Sequence, residues 1–126
     1  MRKAGVTPDA PAPIGPYSQS VRIGRLVQAA GQGADDPATG RLAGIDIEAQ
    51  TRQCLRNLEA VLAASGATLD DVLRIGVFLA HRSDFEGMNA VYSTVFRDPP
   101  PARTTVYVGL PGELRVEIDA LAVLPE

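Results

Sequence analysis

Residues 46–66, DIEAQTRQCLRNLEAVLAASG, constrain the fold more than any other segment, because their pattern is typical of one long amphipathic helix. The members of its repeating stripe stand three or four positions apart: Ile47, Thr51, Cys54, Leu55, Leu58, Val61 and Leu62. Asp46 is a favourable N-cap, and Gly66 is a favourable residue to end the helix. A helix with one apolar stripe must bury that stripe against another layer of the protein.

Strand-like runs lie on both sides of this helix. Residues 18–23 and 26–30 precede it and predict a hairpin, with Gly24 and Arg25 in the turn. Three further runs follow the helix, at residues 71–80, 104–108 and 114–123. In the first of these, one face of the strand is predicted to carry Leu73, Ile75, Val77 and Leu79.

A second helix is predicted within residues 83–96. Ser83 and Glu86 have the spacing of a capping box. A helical period follows at Phe85, Met88, Tyr92, Val95 and Phe96. Gly87 costs this helix about 1 kcal/mol relative to alanine, so we expect tertiary contacts to support it.

The order of elements, β-β-α-β-α-β-β, predicts an α+β fold in a single domain covering residues 1–126. Strands and helices alternate in the middle of the chain, which favours a mixed sheet with both helices on one face. Closely spaced prolines exclude a regular helix near the start, so residues 1–16 are expected to form an extended arm. The other face of the sheet has no cover within the chain, and oligomerisation is the economical way to supply one.

Composition and charge argue against several classes of function. The formal net charge of −3 gives no electrostatic basis for binding nucleic acid. No signal peptide is visible and no apolar run approaches the roughly 20 residues of a membrane span, so a cytoplasmic protein without a membrane partner is expected. Cys54 lies on the apolar stripe and is expected to be an inert core thiol, and His81 is expected in an exposed loop. These two residues are far apart, so no metal site is expected.

Six segments, taken in order, carry a family resemblance. They are APAPIGPYSQSV (10–21), AGQ (30–32), QTRQCLRNLEAVL (50–62), VFLAHRSDFEGMNAVY (77–92), PPAR (100–103) and LPGELRVEIDALAV (110–123). Together they closely resemble the Rid family, also called YjgF, of enamine/imine deaminases. The similarity runs from about residue 7 to residue 123.

The resemblance implies a chorismate-mutase-like subunit that assembles as a homotrimer. Three sheets would face inward as a barrel, and the sites would lie in clefts between neighbouring subunits. The implied reaction is hydrolysis of reactive 2-imino acids and their enamine tautomers, such as 2-aminoacrylate/2-iminopropanoate, to 2-oxo acids and ammonia. The resemblance implies no metal or organic cofactor, and a role in removing damaging metabolites.

The resemblance also assigns roles to single residues. Arg103 matches the arginine that binds the substrate carboxylate, and its planar guanidinium suits two parallel hydrogen bonds to such a group. Glu117 matches the acid that positions the hydrolytic water, as general base or proton relay. Tyr17 matches a tyrosine of the cleft, and Gly31 matches a glycine whose backbone approaches the ligand. Asn89 matches an asparagine near the site, although a helix-side hydrogen-bond anchor is the simpler role.

Each of the other assignments has a structural alternative. Arg103 could form an ion pair at a subunit interface. Glu117 could be an ordinary exposed strand residue, and Asp119, which shares its face, could be the relevant acid instead. Tyr17 could anchor the arm by packing alone, and Gly31 could simply serve a turn.

Two positions depart from the family's usual pattern. Ala30 stands where a serine is frequent in the deaminases, and Thr105 stands where a cysteine often follows the arginine by two residues. Loss of the serine hydroxyl removes a ligand or water contact worth about 1 kcal/mol. Both departures motivate a second hypothesis, a non-catalytic module that binds or senses 2-oxo acids between subunits. An RNA-cleaving role, ascribed to some relatives, has little support in an acidic chain with one histidine.

Overall fold

The computed structural model describes all 126 residues and contains eight strands and two α-helices. The strands are β1 (Lys3–Gly5), β2 (Ser20–Ile23), β3 (Leu26–Gln32), β4 (Asp35–Asp36), β5 (Arg41–Leu42), β6 (Val72–Leu79), β7 (Ala102–Tyr107) and β8 (Val116–Val123). The helices are α1 (Ile47–Ala63) and α2 (Phe85–Tyr92), and short 3-10 helices at Leu69–Asp71 and Arg82–Asp84 precede β6 and α2. Neither α-helix combines the length and apolar character needed to cross a membrane.

Six strands form the main sheet, in the order β1-β2-β3-β8-β6-β7, and β4 pairs with β5 in a small separate ribbon. Neighbouring strands are antiparallel except β6 and β7, which are parallel because α2 makes the crossover between them. The predicted α+β fold with a mixed sheet is therefore confirmed. Three short strands were not predicted: β4, β5 and β1, which lies within the predicted N-terminal arm and pairs with β2.

The core lies between the sheet and the two helices. Alternate residues of β8 are fully buried, as are residues of the adjacent strands and the inner stripe of α1: Val27, Ile75, Val77, Leu79, Val116, Ile118, Ala120, Ala122, Cys54, Leu58, Val61 and Leu62. Ser20 ties the sheet to α1, because its hydroxyl donates to the Val61 carbonyl at 2.7 Å. The opposite face has no helix over it, and we call it the open face.

The sequence predicts the start of α1 correctly, but the helix ends earlier than predicted. The Asp46 carboxylate accepts a hydrogen bond from the Ala49 amide at 2.7 Å, which confirms the predicted N-cap. The helix ends at Ala63, three residues before Gly66. Gly66 lies in the following turn at φ +87°, a backbone conformation that glycine adopts without steric cost.

The prediction of which β6 residues share a face is wrong for one residue, Leu73. The pairing of β6 with β8 shifts register between Val72 and Arg74, which leaves Leu73 59% exposed. From Ile75 onward the alternation is regular, and Val77 is fully buried as predicted. A bulge changes which face the preceding residues occupy, and apolar alternation alone does not reveal it.

Helix α2 differs from the prediction at both ends. Its N-cap is Asp84, with no side-chain capping hydrogen bond, so the predicted capping box is absent, and the helix ends at Tyr92. The expected tertiary support is present at Gly87. A Cβ there would lie 2.5 Å from Ile47 Cγ2, so the missing side chain lets α2 lie directly against the start of α1.

Candidate functional site

Three predicted site residues, Tyr17, Gly31 and Glu117, line one cavity of about 190 Å³, which we call the glutamate cavity. Its remaining walls come from the N-terminal arm and the residue before β2, from the segment that joins β3 to β4, and from the loop before β8: Pro11, Ala12, Ile14, Gln19, Gln32, Gly33, Asp35, Pro111 and Leu114. Glu117 points to the open face, because its neighbours on β8 point into the core and side chains alternate along a strand.

A β-bulge in β3 shapes the wall of this cavity. The pairing with β8 shifts register between Ala29 and Gln32, so Ala30 and Gly31 together occupy the length of one residue on β8. A Cβ at Gly31 would lie 2.5 Å from Glu117 Oε2. The absence of a side chain at Gly31 therefore lets the carboxyl group lie against the backbone of β3.

Gln19 holds the arm beside the glutamate cavity, and its role was not predicted. Its buried side chain accepts a hydrogen bond from the Thr7 amide at 2.8 Å and donates to the Thr7 and Pro11 carbonyls at 3.0 and 2.9 Å. Its own carbonyl accepts from the Ala30 amide at 2.9 Å. The only sequence signal was a glutamine placed where the arm becomes a strand.

Tyr17 is half-exposed, and its hydroxyl accepts a hydrogen bond from the Ile14 amide at 3.4 Å. The side chain therefore contacts its own arm and also forms part of the cavity wall. This position is compatible with both expectations, the ligand contact and the structural anchor.

The Glu117 carboxyl group lies in a partly desolvated and negatively charged environment. Burial raises the pKa of Glu117 above its ordinary value, and the nearby Asp119 carboxylate raises it further. Asp119 has a cation close by, since Arg74 Nη1 lies 3.6 Å from Asp119 Oδ1, whereas Glu117 belongs to no ion pair. A carboxyl group with a raised pKa can exchange protons closer to neutral pH, and Glu117 lines the glutamate cavity whereas Asp119 does not.

Arg103 lies on the helix-covered face of β7, at the edge of the sheet. It is in register with buried Ile75 of β6, so both side chains project to the same side. The guanidinium carbon lies 4.7 Å from the ring centre of Tyr92 and 5.8 Å from that of Phe85. Its Nη1 is 3.9 Å from Met88 Sδ, and no carboxylate lies within 4 Å. The cation therefore has hydrogen-bond donors available for an anion.

Thr105 and Asn89 belong to the same region as Arg103. Thr105 is two residues further along β7 and projects to the same side. Asn89 lies on α2, one residue after Met88, and is half-buried. Its side chain forms no hydrogen bond within the chain, so the structure gives no support to an anchoring role inside the subunit.

Within one chain, the predicted residues thus form two groups rather than one site. Tyr17, Gly31 and Glu117 line the glutamate cavity, and Ala30 precedes Gly31 in the bulge of β3. Arg103 and Thr105 lie on the helix-covered side of β7, an edge strand of the sheet, and Asn89 lies on α2. Strand alternation within each strand does not show this separation, because the pairing of the strands determines it.

Cys54 and His81 belong to neither group. Cys54 is fully buried, its thiol donates to the Val116 carbonyl at 3.3 Å, and burial raises its pKa far above the ordinary value. It is the inert core thiol that the sequence predicts. His81 is exposed in the loop after β6, also as predicted.

The fold and the two groups define a class of protein: α+β subunits with helices on one face of a mixed sheet, a free arginine at the sheet edge and a glutamate on the uncovered side. The match to known proteins specifies the class further. Residues 7–124 match the family described as Endoribonuclease L-PSP, and the chain belongs to this family, also called YjgF or Rid.

Relatives of the chain carry several names. It is 44% identical over 123 residues to a RutC family protein of Pyrococcus horikoshii, covering 97% of this chain and 98% of the relative. It is 41% identical over 127 residues to the 2-iminobutanoate/2-iminopropanoate deaminase of Salmonella typhimurium, covering 98% of each. Among solved structures, E. coli TdcF with bound serine superposes with a TM-score of 0.92 at 35% identity, covering 98% of this chain and 99% of that one.

Proposed function

We propose that the protein hydrolyses 2-imino acids and their enamine tautomers to 2-oxo acids and ammonia, in a homotrimer whose sites are each built by two subunits. The names of relatives at about 40% identity support a deaminase of this family. The substrate class proposed is the 2-iminopropanoate and 2-iminobutanoate type, and the residues proposed to act are Arg103 and Glu117.

The observation that carries this proposal is the placement of Arg103. It has no acidic partner, and it lies at an edge strand on the opposite side of the sheet from Glu117. A second subunit set against that edge would bring its glutamate cavity to the free guanidinium. The open face would be covered in the same assembly, which would bury apolar side chains that the single chain leaves exposed, such as Leu26 and Val106.

In the proposed reaction, Arg103 binds the substrate carboxylate through two parallel charge-assisted hydrogen bonds. Water then adds to C2 of the imine, the C–O bond forms, and the electrons of the C=N bond move to nitrogen, which takes a proton. The amino group of the resulting carbinolamine takes a second proton and the C–N bond breaks to release ammonia, while the hydroxyl proton leaves and the C=O bond forms. Glu117 can give the first proton in its neutral form and accept the water proton as carboxylate.

Ala30 and Thr105 change the polar groups available to this reaction. The Ala30 methyl leaves one fewer hydroxyl beside Gly31, and Thr105 presents a hydroxyl in place of a thiol near Arg103. Neither change removes a required group, because the imine carbon is already electrophilic and water is the nucleophile. We expect the reaction class to be retained, with a different rate or preference among side chains.

The proposal is tested by generating 2-imino acids with an amino-acid oxidase and trapping the survivors with semicarbazide. Wild-type protein should reduce trapping, and Arg103→Ala should lower the hydrolysis rate by about 30-fold or more, as expected when one partner of a desolvated charge pair is removed. Arg97→Ala is the matched control, because Arg97 is 86% exposed and pairs with Asp70. Undiminished trapping by the wild type for both short and long side chains would refute the reaction.

The shared site has a separate test. Arg103→Ala and Glu117→Gln subunits are each expected to be inactive, but a mixed trimer restores an intact site wherever an unaltered Arg103 meets an unaltered Glu117. Equal mixing by unfolding and refolding should return about a quarter of wild-type activity, from the statistics of a cyclic trimer. No recovery in refolded mixtures that contain mixed trimers would contradict a site built from two subunits.

A binding or sensing module is the second candidate, and Ala30 and Thr105 are the observations that favour it. In that case pyruvate should raise the melting temperature of the wild type but not of Arg103→Ala, and no imine would be consumed. Turnover in the trapping experiment would remove this candidate.

A further inference from the structure

We propose that Tyr92 is a positioning residue for Arg103: its ring holds the guanidinium in place, and apart from one N–H contact to Met88 Sδ the hydrogen-bond donors of that group stay available for a carboxylate ligand. This inference rests on the proposed role of Arg103. It concerns how the cation is held before any ligand arrives.

The first argument is the contrast between Arg103 and the arginines that form ion pairs. Arg25, Arg74, Arg97 and Arg115 each have a carboxylate oxygen within 4 Å. Arg103 has none, although its side chain is half-buried. A half-buried cation without a counter-ion needs another source of electrostatic stabilisation.

Tyr92 supplies that stabilisation through its ring. The guanidinium carbon lies 4.7 Å from the ring centre, within the range of a cation–π interaction. A carboxylate partner would occupy N–H groups of the guanidinium, whereas Tyr92 offers it the face of an aromatic ring beneath the guanidinium carbon. The interaction therefore fixes the side chain without competing with a carboxylate ligand. The Arg103 charge in turn opposes the effect of burial, which raises the pKa of Tyr92.

The ring of Tyr92 is itself held firmly. It is 7% exposed, and its centre lies 5.0 Å from the centre of the Phe96 ring, in a tilted arrangement. The Phe85 ring, 5.8 Å from the guanidinium carbon, adds a weaker contact on the same cation. The arginine therefore rests on a packed aromatic surface rather than on a mobile side chain.

The hydroxyl group of Tyr92 allows a role of the ring to be distinguished from a role of the hydroxyl. It is buried and has no hydrogen-bond partner, so it contributes nothing visible to holding the helix or Arg103. If the ring is what matters, phenylalanine should replace tyrosine at this position and an aliphatic residue should not.

The experiment compares Tyr92→Leu, Tyr92→Phe and Val91→Ala. Val91 is the neighbouring buried residue on α2 and faces the groove towards α1, so its truncation controls for loss of packing in the same helix. Two quantities are measured well below the melting temperature of every variant. One is the dissociation constant for pyruvate, and the other is the NMR order parameter of the Arg103 Nε–H group in ligand-free protein.

Tyr92→Leu should lower the Arg103 order parameter and weaken pyruvate binding about 3- to 30-fold, the range expected for a partly desolvated cation–π contact. In the imine assay its KM should rise by a similar factor with little change in kcat. Tyr92→Phe should behave like the wild type in both measurements, and Val91→Ala should leave the order parameter unchanged. An Arg103→Lys background should reduce the effect of Tyr92→Leu, because the planar stacking partner is gone.

An unchanged order parameter in Tyr92→Leu overturns the inference, as does an equal loss in Tyr92→Phe, which would assign the effect to the hydroxyl. A different result would refute the proposed function. If the wild type consumes no imine but Arg103 loses order only in Tyr92→Leu, the positioning role stands and the deaminase does not.

Discussion

The two faces of the six-stranded sheet are built from the same strands but differ in what covers them. On the helix side, Val27 and Ile118 have no exposed surface, while on the open face Leu26 and Val106 remain 52% and 38% exposed. One face is completed by the chain itself, and the other carries apolar side chains that the chain leaves uncovered. The candidate site follows the same division, because Arg103 belongs to the first side and Glu117 to the second.

The largest expected effect is on the covered face. Leu58 is fully buried on α1, and Leu58→Ala should lower the free energy of unfolding by about 2–5 kcal/mol, through lost apolar burial and the cavity left behind. Urea denaturation followed by circular dichroism measures this cost. Val6→Ala serves as a control, because Val6 is 83% exposed and should change stability by no more than about 0.5 kcal/mol. Equal costs at the two positions would contradict the assignment of the core.

A charge on the open face should act on assembly rather than on the fold of the subunit. Leu26→Asp places a carboxylate in the exposed apolar surface, and in a trimer it would be buried without a partner. Light scattering should show the mass falling to that of one 13.3 kDa chain, while the helical circular dichroism signal is retained. Val6→Asp should not change the mass. A Leu26→Asp protein that still assembles would show that this part of the face is not covered by another subunit.

The smallest expected effect is the pH dependence that Glu117 contributes. Folding raises its pKa above the ordinary value of 4.5, so its contribution to stability is complete below that pH and is lost as the pH rises through the folded value. Glu117→Gln removes this loss. The stability of the variant relative to the wild type should therefore increase from about pH 4 towards neutral pH.

Chemical denaturation across this range measures the trend. Asp119→Asn is the informative second variant, because it removes the neighbouring carboxylate that adds to the raised pKa. It should lower the Glu117 pKa in an NMR titration and reduce the pH dependence. A stability difference between Glu117→Gln and wild type that falls with rising pH would have the wrong sign.

Much of the covered face was predictable from the sequence. The stripe of α1 repeats over 17 helical residues, and Asp46 defines its start through a local hydrogen bond. The short strand β1 was not predicted, because its sequence KAG has no β-forming pattern. It is a strand only because it pairs with β2. Leu73 was placed on the wrong face because a bulge depends on the partner strand, which local alternation does not encode.

The candidate site was predictable as a set of residues but not as an arrangement. The resemblance of short motifs to a known family indicates which residues to consider. The side of the sheet on which Arg103 lies depends on the parallel pairing of β7 with β6, a contact between segments far apart in the sequence. Gln19 was missed for a related reason, since its role is to bond an arm that has no regular structure.

Gly87 connects the packing of the two helices to the position of the aromatic residues around Arg103. Its missing side chain sets how closely α2 lies against α1, and the same helix carries Phe85, Met88 and Tyr92. A Cβ at position 87 would meet the side chains of Ile47 and Glu48, so a larger residue must displace those side chains or shift α2 together with the aromatic residues that contact Arg103. If Arg103 binds an anion as proposed, a substitution at position 87 would change the affinity from the far side of a helix, without altering any group that touches the ligand.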